Sequence, residues 1–252
     1  LLDEEWLNYL LDNFSLSPTS LNKYLECPLR FFYENLLRIP SARNAHLGFG
    51  NAIHYALEKF LASFKLNELK QNSTDTLIDF FNKGMDKYHS HFTDQEFKDW
   101  TAYGESILRS YALEKRKHWD QIPKFETEYK VSTAEWQGIP INGQIDKIEF
   151  YKDQITVVDY KTGKAQKAKV KAPEKVEENY QKYVAEEDPE NKDKLRLKYQ
   201  GTDYWRQLVF YKMLIESDKQ RNWKVSSGIM DFIEPEKKSN GDEIHLEVKV
   251  AI

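Results

Sequence analysis

Two aspartates and a lysine on neighbouring predicted strands have the types and spacing needed to bind a divalent metal ion. A hairpin with a two-residue loop at Lys152-Asp153 would place Asp146 directly opposite Asp159, because opposed residues then have numbers that sum to a constant. Lys161 follows two residues later on the same side. Opposed carboxylates repel each other unless a proton or a cation neutralises them. The pattern therefore predicts a metal site with an ammonium group beside it.

The same register predicts what surrounds the two acids. Ile148 and Phe150 would face Val157 and Ile155, and strict alternation would put Asp146 and Asp159 on that same side of the sheet. The two acids are thus expected at one end of an apolar face.

Length and composition limit the classes of protein. The 252 residues fit one domain with a helical lobe, and the net charge of −4 leaves any nucleic-acid binding to local basic surface. The sequence contains no run of about 18 apolar residues, so no membrane span is predicted. Cys27, the single cysteine, excludes an internal disulfide and is typical of a reducing compartment, so we expect a cytoplasmic protein. The start at Leu1 rather than Met predicts a fragment of a longer chain.

The hydrophobic periodicity predicts alternating blocks of helix and strand. Helices are predicted at residues 2–12, 18–25, 47–64 and 204–217, with two more between 74 and 119. Strands are predicted at residues 126–133, 141–151, 154–161, 225–233 and 243–250. The charged segment 164–200 has no apolar stripe and is predicted to be an excursion with some helix. Seven aromatic residues of the middle third recur at helical spacing and are assigned to packing rather than base stacking: Phe80, Phe81, Tyr88, Phe97, Trp100, Tyr103 and Tyr111.

Five motifs occur in the order found in one nuclease family. They are Ser17 to Leu21 leading to Cys27 to Tyr33, then Gly50 to His54, Asn142 to Ile148, Val158 to Gly163, and Gln207 to Tyr211. With them the chain resembles the RecB-type nuclease domains of the PD-(D/E)xK superfamily. Such domains occur at the C-terminal end of AddA, AddB and RecB recombination helicases and, alone, in Cas4 proteins. The resemblance covers most of the chain and implies an α/β, restriction-endonuclease-like fold: a mixed central sheet flanked by helices, with a helical lobe inserted at about 60–120.

The resemblance also implies roles for individual residues. His54, Asp146, Asp159 and the carbonyl of Tyr160 would bind Mg²⁺ or Mn²⁺, which suits an oxygen-rich site with one imidazole. Lys161 would orient the attacking water and offset charge that develops on the phosphate.

Further residues are implied with alternatives left open. The family often places an acid on the strand before the hairpin, and both Glu126 and Glu128 qualify. Gln207 and Tyr211 share a helical face and would contact DNA or support the active site. A lysine run after the motif would either contact the DNA backbone or form a solvated surface: Lys164, Lys167, Lys169 and Lys171.

The chain departs from many relatives in its cysteines. Those relatives hold a [4Fe-4S] cluster with one cysteine at the position of Cys27 and three more near the C-terminus, where this sequence has none. No cluster is therefore expected in this chain. The expected function is metal-dependent hydrolysis of DNA, by an exonuclease acting on single strands delivered by a helicase motor in the same polypeptide or complex. The alternatives are a DNA-binding module with an idle site and a stand-alone Cas4-like end-processing nuclease.

Overall fold

The predicted mixed α/β class is confirmed by a computed structural model, which describes residues 3–40, 42–65, 73–152, 154–165, 169–218, 221–238 and 243–252. The helices are α1 (Glu4–Asp12), α2 (Pro18–Glu26), α3 (Pro28–Phe31), α4 (Ala45–Lys65), α5 (Ser73–Lys87), α6 (Asp94–Gln121), α7 (Val176–Ala185), α8 (Pro189–Gln200) and α9 (Asp203–Glu216). The strands are β1 (Lys124–Trp136), β2 (Ile139–Tyr151), β3 (Gln154–Lys161), β4 (Val225–Phe232), β5 (Glu236–Lys237), β6 (Glu243–Ile244) and β7 (Glu247–Ala251). None of the described helices combines the length and apolar character that a membrane span requires.

Local capping signals account for where two of the helices begin. Ser17 caps α2 through a capping box in which its side chain and that of Ser20 each accept a backbone N–H of the other residue, and Pro18 occupies the first turn. Thr93 and Glu96 form the same box at the start of α6. The second box explains why the helical middle third breaks in two near residue 90.

The central sheet carries the predicted hairpin. Five described strands pair in the order β1-β2-β3-β4-β7, with β3 and β4 parallel and the other pairs antiparallel. The predicted register is confirmed, because Ile148 pairs with Val157 and Tyr151 with Gln154. Lys152 has a left-handed backbone, with φ 51°, as a two-residue type I′ loop requires. Its loop partner Asp153 lies outside the described residues.

Two hydrophobic cores cover the two faces of this sheet. On one face α4, α5 and α6 form a helical lobe that packs against Val158 and Tyr160 of β3. On the other face α9 packs against Ile148 and Val157. The strand β3 therefore lies between a helix that carries His54 and a helix that carries Gln207 and Tyr211.

Asp146 and Asp159 contact helices on different sides of the sheet, although each is close enough for its charge to act on His54. Ile145 and Ile148 both pack in the core beside α9, although strict alternation over three residues would put them on opposite faces. The break lies at Glu128 and Asp146, where the β1–β2 pairing is interrupted and Glu128 has φ 51°. Beside this break Asp146 contacts His54 of α4, whereas Asp159 contacts Tyr211 of α9.

The charged segment after β3 and the C-terminal strand differ in detail from the sequence expectation. The segment contains two helices, α7 and α8, whose exposed surfaces carry ion pairs one turn apart, Glu178–Lys182 and Glu190–Lys194. The single strand predicted at 243–250 is divided into β6 and β7. β6 pairs with β5 in a separate two-stranded sheet, whereas β7 pairs with β4. Between them His245 is buried and bonds to Ser110 of α6, with 2.9 Å between Nε2 and Oγ.

Candidate active site

Three ligand-type side chains from different elements converge beside the β2–β3 hairpin. His54 of α4, Glu128 of β1 and Asp146 of β2 each offer one ligand atom, and these atoms all lie within 4.8 Å of one another. His54 Nδ1 lies 3.4 Å from Asp146 Oδ1. One imidazole and two carboxylates at this spacing form a donor set that suits Mg²⁺ or Mn²⁺.

The backbone around the cluster fixes both carboxylates. The left-handed conformation of Glu128 turns its side chain out of the regular alternation, towards His54 and Asp146. Gln144 donates a hydrogen bond from Nε2 to Glu128 Oε2. Asp146 Oδ2 accepts the backbone N–H of Tyr160 at 2.8 Å, which ties β2 to β3 at the point where their ladder ends. Each acid therefore has one oxygen anchored to the protein.

The electrostatics of the cluster favour the uptake of positive charge. Burial and the charge of Asp146 raise the pKa of Glu128 to about 7. Burial alone would lower the pKa of His54, but the charge of Asp146 and its contact with the ring outweigh burial and raise this pKa to about 9. A metal ion binds an ionised carboxylate and a neutral imidazole, so it would displace the protons that Glu128 and His54 hold at these raised pKa values. The residues thus fit a hard divalent cation.

A second group of side chains surrounds the acid of β3. Asp159 is buried, and its Oδ1 accepts hydrogen bonds from Gln207 Nε2 and from the hydroxyl of Tyr211, both at 2.7 Å. Gln207 Nε2 also lies 2.7 Å from the Tyr211 hydroxyl. Lys161 Nζ lies 2.6 Å from Asp159 Oδ2 and donates to Gln207 Oε1 at 2.9 Å. The glutamine thereby links the lysine to the aspartate.

Lys161 is held as a charged group. Burial alone would lower its pKa, but the adjacent Asp159 carboxylate outweighs burial and raises the pKa above its ordinary value. The ammonium also lies 4.7 Å from the centre of the Tyr204 ring, a cation–π distance. With a raised pKa this side chain acts as a hydrogen-bond donor and a positive charge, and it is unsuited to remove a proton from water at neutral pH.

The structure separates the sequence-predicted site residues into those that converge and those that do not. His54 and Asp146 converge with Glu128, whereas Glu126 lies 3.7 Å from Lys124 and from Arg221, away from the cluster. Asp159 is engaged by Lys161, Gln207 and Tyr211 on the α9 side of the sheet.

Tyr160 supplies its backbone N–H to Asp146, and the role of its carbonyl stays a prediction. Lys164 is exposed just beyond β3, and Lys167 lies outside the described residues.

Sequence reasoning gave no role of their own to two residues that contact the site. Gln144 lies two residues before Asp146, and its contact with Glu128 depends on the break in the strand, which no residue pattern revealed. Tyr204 lies three residues before Gln207 on α9, so the spacing that paired Gln207 with Tyr211 also placed Tyr204 on that helical face.

The raised pKa of Glu128 predicts a stability gain when its charge is removed. The folded protein holds the Glu128 proton more tightly than the unfolded chain does, so stability falls as pH rises from about 4.5 to 7. Glu128→Gln should therefore raise the free energy of unfolding at pH 8 and leave it unchanged at pH 4. The gain should be about 1 kcal/mol, well below the full linkage value, because Glu128 is partly exposed to solvent. Urea denaturation in EDTA at both pH values measures this.

Glu126→Gln is the matched control on the same strand. Among the described residues its carboxylate contacts Lys124 and Arg221, both at 3.7 Å. Removal of its charge should therefore change stability at pH 8 by a few tenths of a kcal/mol or lower it. A loss of stability in Glu128→Gln at pH 8 would contradict the electrostatic description of the cluster.

Comparison with known proteins identifies a family for the chain. The sequence model of the PD-(D/E)XK nuclease superfamily matches residues 15–249, nearly the whole chain. A comparison with curated proteins gave no match.

Proposed function

The chain belongs to the PD-(D/E)XK nuclease superfamily, and from this premise we propose that its site hydrolyses DNA phosphodiester bonds with the help of Mg²⁺ or Mn²⁺. Membership of the family supports a nuclease function. The observation that carries the metal-dependent mechanism is the convergence of His54, Glu128 and Asp146 within 4.8 Å of one another.

We propose that the metal is held by His54, Glu128 and Asp146, with Asp159 and the carbonyl of Tyr160 as further ligands. A bound Mg²⁺ or Mn²⁺ supplies Lewis-acid polarisation of the phosphate and lowers the pKa of water. The protein contributes fixed ligand positions, since Gln144 holds Glu128 and the Tyr160 N–H holds Asp146. Ligands that are already fixed lose little conformational freedom when the cation binds.

Lys161 stabilises charge and orients the nucleophile. Hydrolysis forms one P–O bond from water and breaks the P–O bond to the leaving sugar oxygen, so negative charge builds up on the phosphate oxygens and on the leaving oxygen. A charged ammonium close to the metal ligands offsets this charge and directs a water molecule by hydrogen bonding. Gln207 and Asp159 position it, since both contact Nζ.

The finer proposal concerns the substrate and its delivery. From the resemblance to RecB-type nucleases we propose an exonuclease that acts on single-stranded DNA and is coupled to a recombination or repair helicase. Lys164, exposed beside the site, fits a contact with the DNA backbone. ATPase motifs in the same polypeptide or in a partner would support the coupling.

Digestion of labelled DNA tests the proposal. Linear and circular single-stranded DNA, and the corresponding duplexes, are incubated with Mg²⁺, Mn²⁺ or EDTA. We expect linear single strands to be shortened from a labelled end with either metal, circular single strands to resist, and EDTA to stop the reaction. Cleavage of circles would replace the exonuclease with an endonuclease. DNA binding without cleavage under every condition would favour the DNA-binding module with an idle site.

A further inference from the structure

A cleft of about 680 Å³ opens directly beyond Lys161, between the helical lobe and the end of β3. It is lined by α4, by α6 and by two connecting segments, through His46, Phe49, Asp99, Trp100, Tyr103, Thr162, Gly163, Lys164 and Glu234. Its volume falls in the range of small-molecule sites. The metal ligands and the groups that hold Lys161 do not line it, so the roles assigned above leave this cleft unexplained.

Aromatic rings form one wall of the cleft and hold one another in place. The Trp100 ring centre lies 4.7 Å from that of Phe49, 5.1 Å from that of His46 and 6.0 Å from that of Tyr103. Phe49 is fully buried and anchors the group, whereas 37% of Tyr103 is exposed. A preformed aromatic surface that stays partly open to solvent offers a stacking platform for a flat ring.

The charges that line the cleft favour a neutral occupant with hydrogen-bond donors. Asp99 and Glu234 present carboxylates, and the hydroxyl of Tyr103 is already hydrogen-bonded to Glu234. A phosphate group placed against these two carboxylates would be repelled, but the exocyclic amino group of a base is a suitable donor to them. Lys164 lines the same cleft and supplies the single ammonium group among its lining residues, which suits the phosphate attached to such a nucleotide.

The cleft lies about two stacked nucleotides from the proposed metal ligand His54. Phe49 and His54 are five residues apart on α4, which corresponds to about 7.5 Å along the helix axis. Stacked nucleotides of one strand advance by about 3.4 Å each in a duplex. Thr162, which lines the cleft, is the residue next to Lys161.

We propose that this cleft binds one unpaired nucleobase of single-stranded DNA, stacked on Trp100 and Tyr103, beside the phosphate that is cleaved. The inference rests on the proposed nuclease function and adds a reason for a single-strand preference. A base in a duplex is paired and stacked between its neighbours, and it can enter a cleft only after it has been unpaired. Part of the aromatic cluster assigned to packing thus acquires a second role in binding.

Scanning with abasic nucleotides tests the cleft. Single-stranded oligonucleotides that carry one abasic nucleotide at each position in turn are cleaved with Mg²⁺, and kcat/KM is measured for each position relative to the cleaved phosphate. In the wild type, loss of the base at one position should lower kcat/KM by between about fivefold and a hundredfold. In Trp100→Ala, the complete oligonucleotide should be cleaved more slowly by a similar factor, and the abasic position should no longer matter.

Controls separate binding from a structural role of Trp100. If Trp100 only supports packing, its replacement will slow all oligonucleotides equally and the position effect will persist, which would overturn the proposal. Tyr103→Leu should reduce the same position effect, and Trp6→Ala, at a tryptophan of α1 that is 41% exposed, should leave it intact. Equal loss of duplex and single-strand binding in Trp100→Ala would also overturn it.

Binding without metal distinguishes this proposal from the nuclease function itself. Fluorescence anisotropy of the same oligonucleotides in EDTA reports affinity when no strand can be cut. If the wild type cleaves nothing but shows the position effect in binding, the base-binding proposal is supported and the nuclease proposal is contradicted. If it cleaves and no abasic position changes binding or cleavage, the nuclease proposal is supported and the base-binding proposal is contradicted.

Discussion

Replacing Asp146 by Asn should sharply lower both the rate of cleavage and the affinity for a divalent ion, whereas replacing Lys161 by Met should lower the rate and leave ion binding intact. Asp146 contacts His54 through one oxygen and the backbone of Tyr160 through the other, so the neutral amide keeps the size of the side chain and removes its charge. Loss of a charged ligand should lower the Mn²⁺ affinity at least tenfold to a hundredfold. The rate of cleavage should fall about a thousandfold, because metal assistance supplies several kcal/mol of transition-state stabilisation.

In the proposed mechanism Lys161 acts through its charge and is not a metal ligand. Its ammonium lies against Asp159, and replacement by Met removes that positive charge from the vicinity of the ion. Mn²⁺ affinity should therefore be unchanged or somewhat higher in Lys161→Met. Cleavage should still fall by about a hundredfold to a thousandfold, the cost of removing a group that stabilises charge in the transition state.

The measurement combines Mn²⁺ titration calorimetry with cleavage kinetics on the same preparations. Lys194→Met, on the exposed surface of α8, removes an equal charge far from the proposed ligands in sequence and should change neither quantity. If Asp146→Asn binds Mn²⁺ as tightly as the wild type does, the assignment of the metal ligands is wrong. Loss of ion binding in Lys161→Met would make the lysine a structural support of the metal site.

The sequence predicted the hairpin of this site because its geometry depends on local chemistry. A two-residue loop sets the register of both strands, and Lys152 adopts the backbone conformation that this loop needs. The helix of Gln207 and Tyr211 was likewise predictable, because residues four apart share a helical face. That this face would hold Asp159 depends on contacts between residues about 50 positions apart, which spacing alone does not encode.

The group of His54, Glu128 and Asp146 could be predicted only in part. Alternation left Glu126 and Glu128 equivalent and placed Asp146 beside Asp159. The left-handed backbone of Glu128 settles the first question, since Glu128 and not Glu126 lies beside His54 and Asp146. A glutamate with positive φ is uncommon and carries a strain that the surrounding contacts must offset, so residue preferences argue against it. Strained positions of this kind cluster at functional sites, which is why local rules fail there.

Lys115→Met should lower the free energy of unfolding by about 3–5 kcal/mol, because it leaves a buried carboxylate without its counter-charge. Lys115 Nζ lies 3.0 Å from Asp231 Oδ1 and 2.5 Å from Glu247 Oε1, and only 6% of its side chain is exposed. Asp231 also accepts a hydrogen bond from Tyr111 at 2.7 Å and is itself buried. It pairs with Tyr160 in the sheet, so this ionic group lies directly behind the strand that carries the site.

The pH dependence of the loss distinguishes an uncompensated charge from a simple packing defect. Burial raises the pKa of Asp231, and Lys115 opposes that rise, so the variant should have a still higher pKa. A raised folded-state pKa contributes stability at low pH that is lost as pH rises through it. The deficit of Lys115→Met should therefore be smaller at pH 5 than at pH 8 in urea denaturation, whereas a packing defect would give the same deficit at both.

A second substitution completes the argument. Lys115→Met combined with Asp231→Asn removes both charges and keeps an acceptor for Tyr111. Glu247 loses its partner but is a third exposed, so water can solvate it. The double variant should therefore recover most of the lost stability. Arg109 lies on α6 like Lys115 and forms an exposed ion pair with Asp75 of α5, so Arg109→Met should cost under about 1 kcal/mol. If the double variant is stable and still cleaves DNA, the buried pair serves the fold behind the site and takes no part in the chemistry. If it is stable and inactive, the charges behind Tyr160 tune the metal cluster through the sheet.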